Sequence, residues 1–204
     1  MPSIPEKTGP KVISPSKLAH IVLHTNKYDA MVEFWINFLG GRLVYGNDFL
    51  SFITYDDEHH RIAIAQLPGF VDKPAHTTGL AHVAFTFDTL RDLMSSYQQR
   101  KELGIEPFWC VNHGTTTSIY YTDPDGNEIE TQVDNFDTIE ETNRFMTSPL
   151  FDMNAIGTDF HPDDLIFRLE SGESEESIKK RVEIGKRSMP EVRSIPPPQL
   201  VKAS

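Results

Sequence analysis

The chain has 204 residues and a formal net charge of −11, with 30 acidic against 19 basic residues and a single cysteine. That length allows one domain with a real core, or one domain plus an extension. The acidic balance, without any Lys/Arg cluster, argues against nucleic acid and against an anionic membrane surface. No apolar run is long enough for a membrane span. One cysteine rules out an internal disulfide framework and fits a reducing compartment. The start, Met1 to Lys17, is polar and contains proline, without the apolar core of a signal peptide. A soluble cytoplasmic protein is expected.

Leu18 to His24 reads as a strand, with His20, Val22 and His24 on one face and Ile21 and Leu23 on the other. A helix follows from Lys27 to Leu39, with Asn26 as cap, an apolar stripe of Met31, Phe34, Trp35 and Phe38, and Gly40-Gly41 as its stop. Strands are expected at Arg42–Tyr45, Phe49–Tyr55 and His60–Gln66, separated by turn residues at 46–48 and 56–58. The order is β-α-β-β-β.

After a linker, Leu67 to Gly79, the order recurs. Leu80 to Phe87 is a strand and Asp88 caps a helix striped with Leu90, Leu93, Met94 and Tyr97. Strands follow at Pro107–Val111, Thr117–Thr122 and Asn127–Val133, the last two joined by the strong turn Asp123-Pro124-Asp125-Gly126. The phrase Leu18-Ala19-His20-Ile21-Val22 reappears 62 residues on as Leu80-Ala81-His82-Val83-Ala84. This duplication is the main organisational fact. Beyond Phe136 the repeat ends. Short helices are expected at Glu140–Met146 and Pro162–Leu169, part of Ser171–Lys186 is helical, and Pro190–Ser204 is Pro-rich and expected to be poorly ordered. So polar a tail packs over the domain or over a partner subunit.

The expected organisation is a polar leader at 1–16, a domain at 17–136 with modules at about 17–67 and 79–134, and an extension at 137–204. The fold class is α+β: two tandem βαβββ modules paired in one metal-binding domain.

A solitary histidine on a strand is ordinarily a hydrogen-bonded structural residue. Equivalent histidines in two repeats, followed by a carboxylate on a late strand, point instead to a divalent metal with positions open to substrate and dioxygen. Glu128 and Glu130 share one strand face, so either carboxylate can serve. His60 and His59 are neighbours at the start of a strand, with His59 expected to point the other way. His24, on the face of His20, reads as pocket lining. Matching Ala65-Gln66 with Thr131-Gln132 sets Ile64 opposite Glu130, a residue that cannot ligate.

Two such modules, each with a histidine on its first strand, resemble the vicinal oxygen chelate superfamily of glyoxalases, bleomycin-resistance proteins and extradiol dioxygenases. The resemblance covers Ser16 to Asp137. Within that group, three phrases look like the ring-cleaving dioxygenases: Glu58-His59-His60-Arg61-Ile62-Ala63-Ile64-Ala65, Asn112-His113-Gly114, and Tyr120 through Asp123-Pro124-Asp125-Gly126 to Glu130. The resemblance implies iron(II) ligands at His20, His82 and Glu130, an acid–base histidine at His60, and substrate contacts from His113 and Tyr120. It also implies a catechol-like or polyphenolic substrate, dioxygen as co-substrate and a homo-oligomer. Isomerases of the superfamily typically hold their metal with four protein ligands. A non-redox metal isomerase and a metal-free protein that sequesters an aromatic ligand are the alternatives.

Overall fold

The computed structural model describes residues 12–74 and 77–187. The expected leader at 1–16 falls largely outside them, as does the Pro-rich end from Pro190 to Ser204.

The first module comprises β1 (Ile21–His24), α1 (Tyr28–Leu39), β2 (Arg42–Gly46), β3 (Leu50–Thr54) and β4 (Ile62–Ala65). Its sheet has the order β1-β4-β3-β2. The second comprises β5 (His82–Thr86), α2 (Leu90–Glu102), β6 (Trp109–Asn112), β7 (Thr116–Thr122) and β8 (Glu128–Asp134), with the order β5-β8-β7-β6. The βαβββ order is therefore as the sequence predicts. In each module the first strand runs parallel to the last, a pairing that the intervening helix makes possible.

The strands are shorter than predicted at their N-terminal ends. β1 begins at Ile21 and β4 at Ile62, because the parallel ladder starts at that pair, so His20 and His60 sit just outside it. Alternation holds along β1. Ile21 and Leu23 pack against the core while Val22 is exposed.

Both expected helix caps are displaced by one residue. Lys27 stands at the N-cap of α1 and makes no side-chain cap, while Thr25 Oγ1 accepts from the Lys27 N–H. Asn26 instead reaches Asp72. At α2 the cap is Thr89, whose hydroxyl accepts from Asp92 N–H at 3.0 Å. The Glu175 carboxylate, from the extension, also takes the Leu90 and Arg91 N–H groups at 2.8 and 3.2 Å. A carboxylate there satisfies two orphan donors and complements the helix dipole.

One apolar cluster joins both modules and the extension. Met31, Trp35 and Phe38 of α1 meet Ile53, Ile62 and Ile64 on one side and Ile119, Tyr121 and Ile129 on the other. Trp35 approaches Phe85 edge-on at 6.2 Å and Phe38 approaches Tyr121 at 5.2 Å. Between them the buried Arg100 donates from Nε to the Phe38 carbonyl at 2.9 Å, its guanidinium 4.0 Å over the Phe38 ring.

The extension is more structured than its polarity suggests. It forms α3 (Ile139–Met146), α4 (Pro149–Met153), β9 (Thr158–Asp159), α5 (Pro162–Glu170) and α6 (Glu175–Lys179). The sequence did not point to α4 or β9. β9 pairs antiparallel with β6 and so extends the second sheet. Leu165, Leu169 and Ile178 join the common cluster, so the extension packs on the chain's own second module. Among the described residues, no helix is long and apolar enough to cross a membrane.

Trp35 is 1% exposed and bridges the modules, so Trp35→Ala should lower unfolding free energy by about 3–5 kcal/mol. Leu43→Ala, on the exposed β2, should cost less than about 1 kcal/mol. Urea denaturation checks both. Equal midpoints for the two variants would mean that α1 does not tie the modules together.

Candidate active site

The parallel register of β5 with β8 decides which side chains share the open face of the second sheet. His82 lies opposite Glu128 and Ala84 opposite Glu130, so His82 and Glu130 are diagonal neighbours on one face. Their side chains meet, with His82 Nε2 at 3.0 Å from Glu130 Oε2. The choice between the two carboxylates is thereby resolved at the level of contact: Glu130, 5% exposed, meets the imidazole.

Each shifts the other's protonation. The hydrogen bond to Glu130 raises the His82 pKa above its usual range, against partial burial. Burial pushes the Glu130 carboxyl up, but hydrogen bonding from His82 and Ser118 outweighs it and holds the carboxyl below its usual range.

Tyr120 stands beside this pair because β7 pairs with β8 in the register Tyr120↔Glu130. Its ring meets His82 edge-on at 5.4 Å. His113, in the turn between β6 and β7, places Nε2 at 3.0 Å from the Tyr120 hydroxyl and Nδ1 at 2.5 Å from the Ile156 carbonyl. Burial pushes the His113 imidazole pKa down, which favours its neutral form. Trp109 completes the aromatic wall, stacked on Tyr120 at 4.9 Å and edge-on to His113 at 5.6 Å.

The first module presents a different group. His20, immediately before β1, has its ring 4.3 Å from that of His60. His60, 9% exposed, also stacks on Phe52 at 4.4 Å. Burial, then His20 and His59, push the His60 pKa down against the pull of Glu58. His59 does not turn away as the alternation predicts. Both residues lie in the loop ahead of β4, where alternation does not apply, and His59 Nδ1 is 2.5 Å from His60 Nδ1. His59 is nonetheless the exposed member, its side chain 68% accessible. His24 stacks on Phe70 at 4.4 Å.

The six sequence-predicted residues thus fall into two groups: His82, Glu130, Tyr120 and His113 on the second module, and His20 with His60 on the first. Among the described residues, no three His, Cys, Asp or Glu side chains converge closely enough to hold an ion as they stand. The His82–Glu130 pair does fit a metal. Two donors held about 2.1 Å from one ion at right angles lie about 3.0 Å apart. An imidazole and a carboxylate are donors that suit a divalent first-row metal.

The register also corrects the repeat alignment. Val22 and Ala84 are equivalent, and their partners are Ala63 and Glu130. The counterpart of Glu130 is therefore Ala63, while Ile64 pairs with Leu23 and belongs to the core. Matching the strand ends by sequence was one residue out, because the loops before β4 and β8 differ. Alanine, like isoleucine, has no donor, so the first module offers no second carboxylate at that position.

Sequence reasoning missed Trp109, Ser118 and Arg181. Trp109 and Ser118 look like ordinary strand residues, and nothing local marks Arg181 as reaching the His113 loop.

The sequence profile of the Glyoxalase/Bleomycin resistance protein/Dioxygenase superfamily matches residues 17–131. Biphenyl-2,3-diol 1,2-dioxygenase 3 of Rhodococcus globerulus is 44% identical over 167 residues, covering 81% of this chain and 88% of the relative. Biphenyl-2,3-diol 1,2-dioxygenase 2 of the same organism is 43% identical, covering 72% and 77%. A lactoylglutathione lyase of Neisseria meningitidis is 25% identical, covering 56% and 88%. A glyoxylase/bleomycin resistance protein/dioxygenase domain from Frankia superposes with a TM-score of 0.50 at 17% identity, over 59% of this chain and 93% of that one. With more than half its length matched by the profile, and the paired βαβββ modules in place, the chain belongs to the glyoxalase/bleomycin resistance/dioxygenase superfamily.

Proposed function

We propose that the chain is a ring-cleaving extradiol dioxygenase that uses dioxygen and a non-haem Fe(II), held by His20, His82 and Glu130, on a catechol-like or polyphenolic substrate. The observation that carries the reading is the contact of His82 with Glu130 beside the Tyr120–His113 pair. The two biphenyl-2,3-diol dioxygenase relatives support the reaction class. A homo-oligomer belongs to the same reading, since exposed Leu43, Val44, Tyr45 and Phe49 leave apolar surface along the β2 edge for a second copy.

When bound, the iron supplies the redox chemistry between diol and dioxygen and favours loss of the diol protons. The protein's own groups do the rest. Tyr120 and His113 hydrogen-bond the substrate oxygens and orient the ring, with Trp109 as a flat neighbour. His60, packed against Phe52 and flanked by two imidazoles that lower its pKa, takes up and returns a proton during the reaction. Glu130, held ionised by its donors, keeps negative charge at the metal-binding face.

The donorless Ala63 favours dioxygenase over isomerase chemistry. Three protein ligands leave room for a bidentate diol and dioxygen together, whereas a fourth would take one of those positions.

His82→Ala and His20→Ala, measured separately, should each lose bound iron while circular dichroism stays near wild type. Full iron occupancy in either variant removes that histidine from the ligand set.

His60→Ala should bind iron and a catechol but turn over at least about tenfold more slowly, the usual size of an acid–base contribution. His59→Ala, its neighbour on the exposed side, should stay within about threefold of wild type, a loss of roughly 0.6 kcal/mol. The opposite ranking would transfer the proton-handling role to His59.

Ala63→Glu should place a carboxylate at the position matching Glu130 and suppress ring cleavage while iron remains bound. Undiminished turnover with catechol would show that residue 63 does not face the metal.

A further inference from the structure

The C-terminal extension closes over the one loop that carries His113. Asn154, 1% exposed, folds the turn that follows α4, its Oδ1 accepting from the Ile156 and Gly157 N–H groups at 3.1 and 2.8 Å. Gly157, at φ +110°, lies so close to the Asn112 carbonyl that any side chain there would collide with it. Arg181, its side chain 2% exposed, then ties the parts together. Its Nη1 donates to the His113 carbonyl at 3.1 Å and to the Asn154 carbonyl at 2.7 Å, and Nη2 to the Leu150 carbonyl at 3.2 Å. The guanidinium is balanced by Glu183 at 3.0 Å and lies 5.0 Å over the Phe145 ring. A buried arginine spread over three carbonyls fixes backbone geometry with little freedom left.

We infer that the extension is a positioning device for the active site, in which Arg181 and the 154–157 turn set which nitrogen of His113 carries the proton and thereby where the Tyr120 hydroxyl points. The inference rests on the reading of His113 and Tyr120 as substrate-orienting groups.

The argument is one of donors and acceptors. The Ile156 carbonyl can only accept, so the nitrogen 2.5 Å from it, Nδ1, carries the hydrogen. A neutral imidazole then has its lone pair on Nε2, which accepts the Tyr120 hydroxyl at 3.0 Å. With the proton on Nε2 instead, His113 would become a donor, and the phenol proton would be left to Glu130. The tautomer therefore decides the direction of the Tyr120 hydroxyl.

A second contact from the same segment acts alongside. Asp159 of β9 accepts from the Trp109 indole at 2.8 Å and is held by both terminal nitrogens of Arg187 at 2.9 Å. Trp109 is the ring stacked on Tyr120, so two of the phenol's neighbours, His113 and Trp109, are held from the extension.

The test uses the full-length chain labelled with 15N-histidine and loaded with diamagnetic Zn(II), alongside kinetics of the iron-loaded enzyme. Wild-type His113 should show the neutral form protonated at Nδ1, the less favoured tautomer of a free imidazole side chain. Arg181→Met should shift His113 toward the Nε2-protonated form and lower kcat by about tenfold to a hundredfold, as misplacement remote from the chemistry does. KM and iron content should change little, and Arg181→Lys should recover part of kcat. Wild-type His113 protonated at Nε2 overturns the inference, and that measurement needs no variant to fold. So does an Arg181→Met enzyme that keeps both the Nδ1-protonated form and its kcat. Normal kcat in His113→Ala would instead remove His113 from the reaction while leaving the tautomer assignment untouched.

Discussion

In each module the last strand returns parallel to the first, and the register of that pairing governs everything on the open face of the sheet. Between β5 and β8 it sets Ala84 against Glu130 and so brings His82, two residues earlier, diagonally onto the carboxylate. The antiparallel pairing of β7 then has one choice for which residue stands beside Glu130, and that residue is Tyr120. A slip of one residue would turn Glu130 inward against Ile119 and Tyr121 and expose Ile129 in its place. The cost of an unpaired carboxylate in that core secures the register as firmly as the apolar pattern does.

Much of this could be read from the chain because alternation and turn chemistry are local. The two β-α-β-β-β runs, the Asp123–Gly126 turn and the recurrence of the His20 phrase around His82 are visible in the sequence itself, whereas Glu130 has no counterpart in the repeat. What could not be read depends on partners far along the chain. Asn26 and Asp88 are good caps by type, yet Lys27 and Thr89 occupy the cap positions. Ile64 matched Glu130 by resemblance of the strand ends, but the ladder with β1 pairs it with Leu23 and places Ala63 on the open face. His59 and His60 were treated as strand residues with opposite directions. They lie in a loop, and a hydrogen bond between their rings replaces alternation.

The extension shows the same limit in stronger form. Its polarity suggested a covering layer without a core, and its few apolar residues are spent at selected points: Leu165, Leu169 and Ile178 join the common cluster. The rest of its stabilisation is polar and directional. Glu175 caps α2, Lys179 offers its carbonyl to Asn112 at 2.8 Å, and Arg181 takes the carbonyls around His113. Contacts of this kind have no periodicity, so no local pattern announces them. They also hold geometry more strictly than apolar packing, which suits a segment that lies against a site.

The duplicated modules have diverged in the side chains that they place on the open face of each sheet. At the position of Glu130 the first module has Ala63, and through the corresponding strand pairings the place of Tyr120 is taken by Phe52. The second sheet therefore carries a carboxylate, a phenol and a half-buried imidazole on its open face. The first carries imidazoles against a flat apolar ring, and burial among them lowers the pKa of His60. Had the first module kept a carboxylate there, His60 would face a fixed negative charge, which raises an imidazole pKa as Glu130 raises that of His82. The loss of one donor thus has two effects. It leaves the first sheet without a carboxylate at that position, and it confines that charge to the second module, beside His82.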